Sequence, residues 1–321
     1  MKHQILGLSL AAGMGMLHAA ASATPFTINT GVDFGSNGST TTSAANSLGY
    51  SGTLSTIGYQ GSPYTVGTEV IESNRTTQLN NLGFVSGVNQ NILGTQLQIA
   101  SGATSSALPN VGQLDIDTIN SPVSPFDSNG FISASTAAGT IPSLYSLVPG
   151  SWGLTYDYTF KGSVVSADGL VNYTSGDITV YFVNATVSKK VLGLTVQNTV
   201  NGINNQDISG VLNFSGMSAS ELAFAQQFWT DVSPNGMNFY DKWLADPLAI
   251  TWLLSNNVKP ATPTDEQLFN GTGDADGKPW MFRQATMNGF LSFNVPEPGS
   301  VALIGLALAG LGLATRRRQQ A

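Results

Sequence analysis

The stretch WGLTYDYTFK, Trp152 to Lys161, constrains the fold more than any other. Trp152, Leu154, Tyr156, Tyr158 and Phe160 alternate with Gly153, Thr155, Asp157, Thr159 and Lys161. Successive side chains of an extended chain point to opposite faces, so five large groups share one face and small or polar ones the other. This predicts a half-buried antiparallel strand. DITVYFVNATV, Asp177 to Val187, is apolar on both faces and is expected to lie deeper. VLGLTVQNTV, Val191 to Val200, is expected to pair with it across Ser188-Lys189-Lys190. TQLQIA (Thr95 to Ala100), DISGVLNFSG and ATMNGFLSFNV read as further strands, with Gly and Asn clusters as turns. Thr24 to about Tyr64, rich in Ser, Thr, Gly and Asn, reads as short strands and loops, with a flexible leader as the alternative.

A helical interlude interrupts the strands. SASELAFAQQFWTDV carries Ser218-x-x-Glu221, the pattern of a reciprocal N-cap, followed by Leu222, Ala225, Phe228, Trp229 and Val232 at helical spacing. NFYDKWLADPLAITWLLSNN places Tyr240, Trp243 and Leu244 on one face, and Pro247 is suited to open a new helical turn. Three of the five tryptophans fall between Phe228 and Leu253, and the simplest role for them is to cover one end of a sheet. The expected fold is mainly β: an antiparallel β-sandwich, or a distorted barrel, with a short helical insertion.

The two ends of the chain read differently. Residues 1–23 show Lys2, an apolar stretch and the small-residue cleavage pattern Ala21-Ser22-Ala23, which predicts a signal helix removed after Ala23. Residues 295–321 hold Pro296-Glu297-Pro298, an uncharged apolar run 299–314, and Arg316-Arg317-Arg318. As a helix the run reaches roughly 24 Å, slightly short of a hydrocarbon core of about 30 Å. Flanking arginines can reach the headgroups, and their cluster is expected to stay cytoplasmic. Residues 24–294 then form an extracytoplasmic β-rich domain.

The motif Pro296-Glu297-Pro298, a short apolar helix and Arg316 to Arg318 resemble the PEP-CTERM sorting signal of exosortase substrates in Gram-negative bacteria that make extracellular polysaccharide. The resemblance implies an inner-membrane intermediate, cutting near the motif by an exosortase-type protease or transpeptidase, and transfer of the body to the cell surface or matrix. More diffusely, the text around NFYDKWLADP, FNGTGDADG and the strand leading into Val-Pro-Glu-Pro is similar to flocculation-associated PEP-CTERM proteins. That resemblance implies a role in aggregation or biofilm, with extracellular polysaccharide or neighbouring cells as partners.

Composition narrows the chemistry. The chain has no cysteine, and its two histidines, His3 and His18, both lie in the predicted signal peptide. The body therefore has no thiol or imidazole, which removes Ser-His-Asp and Cys-His nucleophiles and metal sites built on those ligands. Setting aside Lys2 and the three tail arginines leaves 8 basic against 19 acidic residues, a net charge of −11. Such a surface disfavours nucleic acid and anionic lipid. No cofactor is implied.

Carboxylate chemistry and oxygen-ligated calcium remain open. TGDADGK places Asp274 and Asp276 before Gly277, a spacing akin to a calcium loop, but an EF-hand would need acids at Thr272 and Arg283. A polar turn is the competing reading. Asp115 and Asp117 share a strand face, where solvated edge carboxylates compete with an ion site. A glycosidase needs two carboxylates across a cleft, and the sequence singles out no pair. The expectation is a non-enzymatic surface or matrix protein. A carbohydrate-active enzyme using two carboxylates and a calcium-stabilised adhesin are the alternatives.

Overall fold

The computed structural model describes residues 23–84 (except 33–37 and 43), 112–118, 121–122, 152–256 (except 185–186, 203–204 and 233–235), 265 and 268–295. The predicted signal helix, the strand at Thr95 to Ala100 and the tail from 296 onward lie outside these residues.

The strand predicted from Trp152 to Lys161 is β6, Trp152–Val164, and its five large side chains are all buried. On its other face Asp157 is partly exposed and Lys161 exposed, although Thr159 is covered. β7 (Val171–Asn184) and β8 (Ser188–Asn201) flank it in sequence. The turn between them falls one step earlier than expected, at Asn184 to Val187, and Ser188, Lys189 and Lys190 already pair with Val183, Phe182 and Tyr181. Ile178, Val180 and Phe182 of β7 are buried, while Tyr181 is only half-covered, so this strand too has one inner and one outer face.

The sheet begins with β1 (Phe26–Ile28), β2 (Ala45–Tyr59) and β3 (Glu69–Ser73), and adds β4 (Gly112–Thr118) and β5 (Ser121–Pro122). Beyond β8 come β9 (Gln206–Leu212), β10 (Trp229–Asp231), β11 (Thr251–Asn256), β12 (Phe269–Asn270) and β13 (Met281–Asn294). The N-terminal stretch is thus central rather than a leader: β2 pairs with β13 along most of its length.

All thirteen strands join one antiparallel sheet, in the order β10-β1-β2-β13-β11-β9-β8-β7-β6-β4-β5. This corrects the expected sandwich, which needs two sheets. The single sheet curls into a half-barrel, and β3 and β4 each pair with both β2 and β6 across its open side. Curling has a local cause. Register shifts interrupt β6–β7, β7–β8, β8–β9 and β13–β2, and each bulge bends and twists its strand. At the first of these, Gly176 has φ 140°, and a Cβ there would lie 2.2 Å from the Thr159 carbonyl oxygen, so only glycine fits.

The concave side holds one apolar core that includes Phe26, Trp152, Tyr158, Phe182, Phe228, Trp229, Phe239, Trp252 and Phe293. Side chains of a small barrel fill its interior, and here aromatic rings share it with Leu, Ile and Val. A smaller outer cluster packs Ile71, Leu79, Leu82 and Phe84 against Trp280 and Phe282, beneath helix α1 (Thr76–Asn81).

Helix α2, Ala219–Phe228, starts at the predicted cap: Ser218 Oγ accepts from the Glu221 amide, and Glu221 accepts from the Ser218 amide. The helix ends earlier than its spacing suggests. Trp229 opens β10, turns inward and donates Nε1–H to the Val191 carbonyl, while Val232 is exposed. Residues 229–231 pair instead with β1. Helix α3, Phe239–Ala245, seats Tyr240 and Trp243 on the core but leaves Leu244 exposed. Pro247 opens no new helical turn, because the chain turns there and enters β11 at Thr251. Trp229 and Trp252 lie in the core, and Trp243 packs against it.

Candidate functional site

Asp274 organises a tight turn. Its Oδ1 accepts from the backbone amides of Asp276 (3.0 Å) and Lys278 (2.8 Å), and its Oδ2 accepts from Trp280 Nε1 (3.0 Å). The bond from Trp280, helped by that from Lys278, holds its carboxyl below the usual range. The carboxylate thus spends its lone pairs on protein donors and fixes Trp280 over the outer cluster. Asp276 contributes its amide to the turn. Among the described residues no group of three or more acids or histidines is placed to hold a metal ion. Asp115 and Asp117 lie on β4, opposite Gly49 and Ser47 of β2, so their strand is not a free edge along this length.

Two polar clusters were not visible in the sequence. Inside the half-barrel, Glu72 of β3 is fully buried. It accepts from Ser55 Oγ (2.8 Å), Tyr158 Oη (3.0 Å) and Tyr173 Oη. Burial first, and then Glu72, push both tyrosines well above the usual phenol range, so they stay protonated as donors. Arg283 and Glu72 both stand opposite Ile57, on its two sides, so opposite charges flank one residue across roughly 10 Å of sheet. The available signal was a carboxylate two residues after the inward Val70, on an apolar strand face.

On the outer face, Arg75 links two aspartates. It donates Nε–H to Asp157 Oδ1 (2.9 Å) and Nη2–H to both Asp157 and Asp177. Tyr181 Oη donates to Asp157 Oδ2 (3.0 Å). Partial burial works against the charge on Arg75, but Asp177 and Asp157 outweigh it and raise its pKa above the usual guanidinium value. Asp157 and Asp177 are diagonal neighbours on β6 and β7. They form the carboxylate pair that the sequence did not single out, with a guanidinium bound between them.

A shallow cavity of about 430 Å³ lies beside α2, lined by Asn29, Gln226, Gln227, Thr230 and Asn238 with Ala223 and Gly236. Its walls are amides and hydroxyls without a carboxylate.

The last described residues bear on the tail. β13 ends at Asn294, and Val295 is buried. The Val295 amide donates to Thr24 Oγ1 (3.0 Å), the same hydroxyl reaches the Val295 carbonyl (3.4 Å), and the Thr24 amide donates to the Phe293 carbonyl (2.8 Å). The predicted signal-peptide cut, after Ala23, therefore lies beside the residue that precedes Pro296. Ala21, Pro296 to Pro298, the run 299–314 and Arg316 to Arg318 lie outside the described residues.

Residues 294–318 match the family described as the PEP-CTERM protein-sorting motif. The chain carries a PEP-CTERM sorting signal. No curated protein and no solved structure matches the chain. The signal makes the protein an exported substrate of an exosortase, with a membrane-associated sorting step. The match begins at Asn294, the final residue of β13. Among the described residues no helix is long and apolar enough to cross a membrane; the run 299–314 is not among them.

Proposed function

We propose that the body is a non-enzymatic surface or matrix protein, delivered by its PEP-CTERM signal, that supports cell aggregation through contacts with extracellular polysaccharide or neighbouring cells. The sorting motif at 294–318 carries this reading, because it directs the body out of the cell. The state of the acids supports it. Glu72 is sealed inside among hydroxyl donors, and Asp157 and Asp177 share Arg75. A general acid would have to carry a proton where a guanidinium now binds, which works against the two-carboxylate mechanism. The amide-lined cavity suits uncharged polyhydroxyl groups, and many weak contacts displayed on a surface gain strength by multivalency.

The cross-strand proximity of Asp157 and Asp177 keeps a carbohydrate-active enzyme as the second reading. Deleting the gene and scoring flocs by microscopy and sedimentation tests the first. Loss of aggregation, restored by the wild-type gene and by Asp157→Asn and Asp177→Asn variants alike, supports adhesion. Unchanged aggregation overturns it. Hydrolysis of polysaccharide by the purified body, abolished by either substitution in a folded protein, establishes the enzyme instead.

A further inference from the structure

We propose that the end of the half-barrel from which both chain ends leave is a lipid-facing surface: while the tail is attached, Val232, Met237, Leu244 and Leu248 rest on a neutral bilayer. The proposal rests on the sorting reading of the tail and adds to it a contact made by the body. Four observations place these residues together. The Val232 amide donates to the Pro25 carbonyl (3.0 Å), next to Thr24. The Met237 carbonyl accepts from the Asp231 amide (3.3 Å) on the same hairpin. Helix α3, which carries Leu244, is fastened across this end by the Lys242–Asp231 ion pair and by Phe239 packed on Phe293 at 5.3 Å. Leu248 lies in the turn leading to Thr251, whose partner is Asn294, the residue before Val295. Each of the four is between 45% and 63% exposed.

The length of chain beyond Val295 decides what covers them. Val295 is held on both its amide and its carbonyl by Thr24. The apolar run begins at Gly299, four residues on, and four extended residues reach at most about 14 Å. A helix with its side chains is about 10 Å across, so α3 and its neighbouring turns have little room to stand clear of a membrane that holds the run. Apolar side chains on such a surface enter the headgroup region, and the short tether gives even a weak contact a high effective concentration.

Charge selects the lipid. Residues 229–250 contain one basic residue, Lys242, paired to Asp231. Asp241 accepts from the Asn238 side chain, and Asp246 accepts from the Leu248 amide. With no cation to spare and three acids present, the surface gains nothing from anionic headgroups, and the contact is apolar and insensitive to salt.

The chain has no cysteine, so single labels are clean. The full chain, tail included, is reconstituted in phosphatidylcholine nanodiscs containing nitroxide-labelled lipid. Val232→Cys, Leu244→Cys and Leu248→Cys carry a polarity-sensitive dye. Val66→Cys, in the β2–β3 connection, and Val165→Cys, just after β6, are exposed references at the other end of the sheet, and Leu306→Cys reports insertion of the tail. The expected result is a blue shift and loss of emission at 232, 244 and 248, none at 66 or 165, and no increase on adding phosphatidylglycerol. An inserted tail with unquenched labels at 232, 244 and 248 overturns the surface and leaves the sorting reading intact. An unquenched Leu306→Cys label overturns both. Quenching that requires anionic lipid, or burial that appears only with the sorting enzyme present, also overturns the neutral-lipid contact.

Discussion

Glu72 shows how one side chain can tie an interior together. A buried carboxylate is costly unless its oxygens are satisfied, and three hydroxyls from three strands converge on this one. Removing one donor leaves a buried acceptor short, at a cost of about 1–3 kcal/mol. Tyr173→Phe is therefore expected to lower the unfolding free energy by that amount at neutral pH, measured by urea unfolding. The same residue gives an alkaline signature. Its folded pKa is raised by burial and by Glu72, so its contribution is fully present below the unfolded phenol value of 10.0 and is lost as pH rises above it. Wild-type stability should fall above that pH, and the fall should be shallower in Tyr173→Phe. Equal slopes for the two proteins would show that Tyr173 is not the group responsible. Arg75 was equally hidden from the sequence. Its partners lie 82 and 102 residues away, and the pairing of β3 with β6 and of β6 with β7 brings them together.

At the scale of elements, legibility followed periodicity and local caps. β6 was readable because its aromatics repeat every second residue, and α2 because Ser218 and Glu221 bond each other three residues apart. The end of α2 was not readable, since the competing partner of Trp229 is Ile28, two hundred residues upstream. Ser218→Ala removes the cap and should cost about 1 kcal/mol. Bonds from the Ser218 side chain and amide lower the Glu221 pKa below its ordinary 4.5. Its contribution is present above 4.5 and lost as pH falls through the lower folded value, so the Ser218→Ala penalty should shrink in acid, and circular dichroism melts can follow it. The core makes a sharper contrast. Trp152→Ala or Phe160→Ala should cost roughly 3–5 kcal/mol, whereas Lys161→Ala, on the exposed face, should cost within about 0.5 kcal/mol. Similar costs at all three positions would mean that the two faces of the strand do not differ in burial.

Over the whole molecule, alternation predicted antiparallel β structure but left a sandwich and a distorted barrel both open, and the curled sheet lies nearer the second. A sandwich and a curled sheet share the same alternation, and what separates them is where bulges fall and which strands meet across the gap. The tail was legible because its three parts lie within 25 residues. What the sequence could not show is that Thr24 and Val295 hold each other, joining residues 271 apart at the two predicted processing points. This clip limits where the tail can be cut. Val295 is buried and both its backbone groups are engaged, so a protease that needs an extended strand would have to break β13 out of the sheet to cut any earlier. The C-terminus of the sorted protein, read by mass spectrometry of surface extracts, should fall at or beyond Val295 and before Arg316. Thr24→Val keeps the shape of the side chain but removes the hydroxyl. It should loosen the last residues of β13 and yield a fraction of shorter C-termini, with the rest of the body unchanged in hydrogen exchange. Intact Arg316 to Arg318 peptides in the surface fraction would show that the tail stays on. A wild-type C-terminus inside 281–294 would show that the clip does not limit the cut.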